Sequence, residues 1–297
     1  MHAPSNLHQS TSKDISEMEN QLEINDSLPH FIRRTIAQMA AVFRIAFVSN
    51  LAYLGELLGK IFFLSIVLFI FMQLWQVTFS ATGGTKLGGF SLTEMLWYLA
   101  ITEAIVISLP RVSSMVDQDV RTGTLALHLG KPLAYPLLML STYFGNRVFA
   151  FSLNFAVSSV VAYALAGPLP VSLPGLAIFL VTLPLSFAID FLAYFLIGLI
   201  AFWLEDTQGL VILYNRASMI LGGMLIPLEL FPDGLRQVLA WLPFSQVVYG
   251  PAHLFVHPDS VFLTGILVKQ ILAIIVYGLA VYAVYTQALK RVFVNGG

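Results

Sequence analysis

The chain contains no cysteine. That excludes disulfides, thiolate catalysis and cysteine-type zinc sites. Charge is also scarce: 10% of the 297 residues are Asp, Glu, Lys or Arg, against about 25% in ordinary soluble domains. Hydrocarbon takes its place, with 58% of the residues apolar. A soluble core of this size could not enclose so much apolar surface, whereas lipid can. The net charge of −1 says little about partners, because the distribution of charge matters more here than its sum. A cleavable secretory signal is not expected, since the first apolar span follows a long polar lead.

After Lys60 the nineteen residues to Phe79 carry no charge and are nearly all apolar. A helix needs about 20 such residues to span the hydrocarbon of a bilayer. Six spans are expected, at about 54–79, 91–110, 136–166, 174–203, 210–228 and 262–288. The fold class predicted is therefore an all-α polytopic membrane protein. The third and fourth spans exceed what a bilayer needs and can tilt or project into water. The fifth contains Gly222 and Gly223 and stops at Pro227. Residues 1–27 are polar and aperiodic, the composition of a disordered tail. From Phe31 onward, Ile32, Ile36, Met39, Phe43 and Phe47 recur at helical spacing, with Arg33, Arg34 and Arg44 elsewhere on the circumference. This pattern predicts a basic amphipathic helix over about 31–50, suited to lie in the headgroup plane or to pack on a partner.

Lys and Arg in loops orient a membrane protein. One side collects Lys13, Arg33, Arg34, Arg44, Arg111, Arg121, Lys131, Lys290 and Arg291, and the other only Lys86, Arg236 and Lys269. Both termini and the 111–135 loop are thus expected in the cytoplasm. That loop is the longest hydrophilic connection on the basic side. Ser113 or Ser114 can cap a short helix in it, Gly123 and Gly130 punctuate it, and Lys131-Pro132 ends it. Such an element can transmit force from a partner or serve as a passive connector. On the other side, residues 227–258 are apolar, yet Pro227, Pro232, Pro243 and Pro251 forbid one continuous span. Short helices are expected from Gly234 to Leu242 and from Ser245 towards Tyr249, the first capped by Asp233. Broken helices at membrane depth need protein or a water-filled cavity around them, so a re-entrant helical hairpin between spans five and six is predicted.

These two segments carry a family resemblance. MVDQDVRTGTLALHLGKPL resembles the cytoplasmic coupling segment of ABC-2-type transporter permeases. FWLEDTQGLVILYNRASMILGGMLIPLELFPDGLRQVLAWLPFSQVVYGPAHLF resembles their fifth span and outer hairpin. The match is to the bacterial six-span subgroup without a fused ATPase, and it covers most of the chain after the tail. The resemblance implies a membrane subunit of an ATP-driven exporter in the bacterial cytoplasmic membrane. It implies pairing with a second permease, identical or related, above two separate ATPase subunits that bind ATP and Mg. It also implies that helix 31–50 is the connecting helix. The ATPase groove would receive Asp117, Gln118, Asp119, Val120, Arg121, Thr122, Gly123, Thr124 and Leu125. Pro227, Glu229, Pro232, Pro243, Tyr249 and Pro251 would mark the outer hairpin.

Other motifs are weaker. Gly55 to Ile61 has three residues between its glycines where a phosphate loop needs four, and Ile61 where a magnesium ligand belongs. A helix face is the better reading, with Glu56 and Lys60 paired at i, i+4. No cofactor is expected on this chain. His253 and His257 are one turn apart near Asp259, but a metal usually wants four placed ligands, and no metal is predicted. There is no GxSxG elbow. Glu103, Arg147 and Asp190 lie inside spans, where a charge costs at least about 2.5–3.5 kcal/mol and needs a partner or water. At 1.5 Å per residue they sit about 10, 16 and 20 Å from the inner ends, close enough for Arg147 to reach either acid. They can form a packing ion pair, line a transport path, or serve as the relay of an ion-coupled carrier that works without ATP. An aspartyl-type dyad is disfavoured, because Arg147 can neutralise one acid. Spans one, two and five, the last with its small glycines, are the expected dimer interface. The aromatic load of span one (Phe62, Phe63, Phe69, Phe71, Trp75) suits lipid contact, or a hydrophobic or amphipathic cargo such as a drug, lipid or lipid-linked molecule. Nothing points to nucleic acid.

Overall fold

The computed structural model describes residues 30–169 and 173–295. The tail expected at 1–27 lies outside the described residues, as do the side chains of Glu56 and Lys60. Among the described residues there are helices and turns but no strands, apart from one isolated bridge between Leu87 and Phe90. The chain is an all-α membrane protein. Six helical stretches are long and apolar enough to cross a bilayer: His30–Ala52, Ser65–Thr82, Leu92–Arg121, Tyr135–Ala166, Leu173–Phe202 and Ser260–Arg291.

This set differs from the expected six at one position. Helix α1 (residues 30–49) qualifies by length, and the fifth expected span does not. The others are α2 (Leu54–Thr82), α3 (Leu92–Ile107), α6 (Tyr135–Ala166), α7 (Leu173–Leu199) and α12 (Ser260–Asn295). The fifth, α8 (Gln208–Leu221), has 14 residues. At 1.5 Å per residue that is about 21 Å, short of the hydrocarbon thickness of about 30 Å. It stops at Gly222-Gly223, where Gly223 takes φ +74°, a left-handed conformation that other residues rarely adopt. The chain then enters five short pieces: residues 222–227, a 3₁₀ turn at Leu228–Leu230, α9 (Asp233–Leu239), α10 (Pro243–Val247) and α11 (Tyr249–Val256). Asp233 opens α9 but makes no side-chain cap, and α9 ends before Leu242. The helix expected from Ser245 begins two residues earlier, because Pro243 suits the first helical turn.

Between α3 and α6 the chain forms α4 (Val112–Arg121) and α5 (Thr124–Leu129). The serine cap expected for α4 is not made. Arg111 occupies the N-cap position without a side-chain bond, while Ser113 is buried inside the helix. Gly123, at φ +72°, breaks α4 from α5. At the opposite end, α3 begins in a full capping box: Ser91 accepts from the Glu94 amide at 3.3 Å and its own amide donates to Glu94 Oε2 at 2.7 Å.

The core sits where α3, α6, α7 and α11 meet. Phe151, Phe155, Phe179, Phe187 and Phe255 pack with ring centroids 5.1–6.2 Å apart in six pairs, mostly edge-on or tilted as aromatic quadrupoles prefer. Apolar side chains outside this core are largely exposed, as they must be when lipid is the solvent. On α2, Phe62, Phe63 and Phe69 are exposed, whereas Trp75 turns inward against Phe79.

Candidate functional site

Three regions hold the residues singled out by sequence. The first is the α4–α5 element. Its inner face carries Val112, Val116 and Leu125, all essentially buried. Gly198 of α7 makes that packing possible, since a Cβ there would meet Val116 Cβ at 2.7 Å and the Ser113 carbonyl at 2.9 Å. Polar contacts fasten the element to two more parts of the bundle, and an ion pair braces α4 itself. Thr207, at the turn between α7 and α8, donates to Asp117 Oδ1 at 3.0 Å. Tyr135, at the start of α6, donates to Asp119 Oδ2 at 2.9 Å. Arg121 closes an ion pair with Asp117 at 2.8 Å. Nearby, Arg291 of α12 donates to the Phe202 carbonyl at 2.9 Å and lies over Trp203. The outer face, by contrast, leaves Met115, Gln118, Arg121, Thr122, Gly123 and Leu127 exposed. Val120 and Thr124 are half-buried between the two faces. Any force on this face is therefore transmitted to α6, α7 and α8 through short, direct contacts.

At the same end, α1 crosses α6. Asn50 donates to Asn146 Oδ1 at 2.8 Å, and Phe47 meets Phe149 edge-on at 5.1 Å. Phe43 and Phe47 thus lie on the packed side as the periodicity predicts, while Ile32 and Ile36 remain exposed with Arg33, Arg34 and Arg44.

The second region is the buried charge cluster. Arg147 Nη2 reaches Asp190 Oδ2 at 3.3 Å, with the two side chains 0% and 3% exposed. Tyr214 of α8 donates to Asp190 Oδ1 at 3.3 Å, and the guanidinium lies 4.5 Å from the Phe187 ring centroid. Arg147 Nε and Nη1 have no hydrogen-bond partner. Arg147 thus takes Asp190 and not Glu103. Glu103 is buried at 3% exposure, and among the described residues no cation or hydrogen-bond donor reaches it. The three charges form a pair and a separate acid rather than one chain. Replacing a buried pair by apolar groups is often neutral, whereas removing one partner costs about 3–5 kcal/mol. Such a pair fixes how α6, α7 and α8 pack.

The third region is the broken segment 222–256, where the outer hairpin is expected. Its non-helical backbone is satisfied from α3: Tyr98 donates to the Gly223 carbonyl, and Thr102 to the Met224 carbonyl at 3.0 Å. Gln270 of α12 and Ser186 of α7 both bond the Gln246 carbonyl at 3.0 Å, and Ser245 bonds the Leu239 carbonyl at 2.5 Å. Pro227, Pro232, Pro243 and Pro251 all stand at element starts or inside a first turn, where a missing amide costs nothing. Gly222 and Gly223 face Phe244, Leu228 and Tyr249 of the same chain, so they are spent on this hairpin and not on a dimer interface. Most of α3 is likewise buried within the chain.

Glu229 anchors the hairpin. Its Oε1 accepts from Tyr249 and lies 3.1 Å from His253 Nε2. Burial alone would raise this carboxyl, but the bonds from His253 and Tyr249 and the histidine charge outweigh it and hold the group below its ordinary value. The Tyr249 hydroxyl is pushed well up by burial and by the Glu229 charge. His257 Nε2 pairs with Glu94 Oε1 at 3.2 Å, and both histidines pack on Phe90. The histidines therefore serve carboxylates, and among the described residues no three metal-ligating side chains converge. Neither acid partner was visible in the sequence, because Glu94 is remote in the chain and nothing local marks it.

Comparison with known proteins adds one finding. Residues 62–296 match a family described as ABC-2 family transporter protein. A search of curated proteins returned no match.

Proposed function

Because the chain belongs to the ABC-2 transporter family and is a membrane permease of an ABC transporter, we propose that it serves an ATP-driven exporter of hydrophobic or amphipathic cargo. The cargo class covers drugs, lipids and lipid-linked molecules. In this reading two permeases, identical or related, sit above two separate ATPase subunits that carry ATP and Mg. The membrane is the bacterial cytoplasmic membrane, and both termini face the cytoplasm. This chain is the transport subunit and does no catalysis.

The observation that carries the proposal is the two-sided character of the α4–α5 element. One face is welded to α6, α7 and α8 by Tyr135, Gly198 and Thr207. The other leaves Gln118, Arg121, Thr122 and Gly123 open at the tip. That is what a lever gripped by an ATPase requires. Closure of the ATPase pair would move α4 and α5, rock the bundle, and open a path beneath the outer hairpins where the two permeases meet. Helix α1 would lie at the inner interface as a connecting helix, its arginines toward phosphates. With α3 and the glycines internal, the second permease would cover α2 and the α8 face around Ile212, Leu213, Arg216 and Ile220, all exposed.

An ion-coupled carrier using Glu103, Asp190 and Arg147 draws less support, since Arg147 and Asp190 neutralise each other without reaching Glu103. The two readings separate in one experiment. Purified permease should copurify with an ATPase and raise its turnover, and substitutions across 117–123 should abolish that stimulation. Transport that survives those substitutions but fails in Glu103→Gln would favour the carrier.

A further inference from the structure

The 3₁₀ turn, α9, α10, α11 and α12 line a half-open cavity of about 290 Å³. Its wall includes polar atoms left over from the packing of this segment. Glu229 lines it, and Glu229 Oε2 is buried without a hydrogen-bond partner, Oε1 being taken by Tyr249 and His253. Gln246 lines it as well. It is 1% exposed, and its Oε1 also lacks a partner while its amide nitrogen bonds the Ala240 carbonyl. Two residues that line the same cavity thus each carry an unpaired acceptor. Leaving either unpaired costs free energy, and a ligand that donates hydrogen bonds would satisfy both.

The third group is a cation. Lys269 of α12 lines the same cavity, and its Nζ lies 5.2 Å from the Trp241 ring centroid. Among the described residues no carboxylate is within ion-pair distance of it; Arg236, beside it, is already bound to Asp233 at 2.8 Å. The lining therefore offers acceptors to a donor and a cation to an anion. Around its rim the surface is apolar and exposed: Val238 on α9, Trp241 in the turn that follows it, and Val268 and Leu272 on α12. Such a surface suits lipid. The volume is at the lower end for a ligand pocket, enough for a headgroup but not for acyl chains, which would lie along that rim.

We propose that this cavity binds one phospholipid whose headgroup carries both a primary ammonium and a phosphate, with the ammonium on Glu229 and Gln246 and the phosphate on Lys269. A choline headgroup has the same charges but no N–H to give the two acceptors. A glycerol headgroup has hydroxyl donors but no cation to meet the carboxylate. The site is independent of how the ATPase docks, because no residue of α4 or α5 contributes to it.

The test is native mass spectrometry of the intact chain. It would be released from bilayers containing equal amounts of dioleoyl phosphatidylethanolamine, phosphatidylcholine and phosphatidylglycerol. The expected result is one retained phosphatidylethanolamine per chain, preferred at least about tenfold over either other lipid, as one or two charge-assisted hydrogen bonds would give. Lys269→Met and Glu229→Gln should each erase the preference. The wild-type comparison needs no variant, so a misfolded mutant cannot decide the matter. Equal retention of the three lipids would overturn the proposal, and so would a preference for choline driven by the aromatic wall. Binding of soluble phosphoethanolamine without retention of the diacyl lipid would assign the cavity to a soluble ligand instead.

Discussion

Thr207 holds Asp117 through a 3.0 Å hydrogen bond across ninety residues of chain. This contact joins α4 to the turn that separates α7 from α8, and in the proposed mechanism it helps the helix with exposed Gln118 and Arg121 carry the bundle along. Thr207→Val removes this bond alone, and Asp117→Ala removes the Arg121 pair as well. A single hydrogen bond is worth about 0.5–1.5 kcal/mol, so folding should survive both changes. Transport per ATP hydrolysed should fall in both, more in Asp117→Ala, with ATP turnover retained. Unchanged stoichiometry in Asp117→Ala would show that the contact transmits nothing.

Gly198 is tested by adding a single carbon. In Gly198→Ala the new Cβ would stand 2.7 Å from Val116 Cβ. Overpacking of this kind costs about 1–3 kcal/mol. Gly209, in α8, has nothing within 4 Å of the same added atom, and Gly209→Ala should leave stability within about 0.5 kcal/mol. Thermal unfolding in detergent distinguishes them, and equal midpoints would refute the close packing of α4 on α7.

The Arg147–Asp190 pair predicts a non-additive result. Asp190→Asn strands a fully buried guanidinium and should cost about 3–5 kcal/mol, while the double variant Arg147→Met with Asp190→Leu should recover most of that loss. Unfolding of the single and double variants in detergent checks this. A double variant as unstable as the single one would mean that the pair does more than neutralise itself.

The Glu229–His253 contact gives a direction with pH. The Glu229 carboxyl is held below its ordinary value near 4.5. Its contribution is therefore fully present above that value and lost as pH falls through the lower, folded one. Unfolding midpoints of the wild type should drop between pH 5 and 3 relative to those of Glu229→Gln, which has no such carboxylate to protonate. Parallel curves for the two proteins would contradict the assignment.

The spans were legible because a bilayer imposes a length and a polarity on sequence that few soluble helices share. Even so, α8 ends at Leu221 and not at Pro227. The Gly222–Gly223 turn that stops it is held by Tyr98 and Thr102, which come from another helix. The four prolines announced the break of 227–258 into short helices, since none can sit inside a helix without removing a bond. Depth along the helices left both Asp190 and Glu103 within reach of Arg147, because helical rise is fixed. The choice of Asp190 was not legible, as depth says nothing about which way a side chain points around its helix. The carboxylate partners of His253 and His257, and the anchors of Asp117 and Asp119, depend on contacts between distant parts of the chain and left no local trace.

The most direct test of the central claim uses sealed vesicles reconstituted with this chain, with and without its partner ATPase. Movement of an amphipathic cargo only when the ATPase, ATP and Mg are present together, and its loss in Asp117→Ala, is the predicted result. Transport by the chain alone, at a rate indifferent to nucleotide, would contradict it.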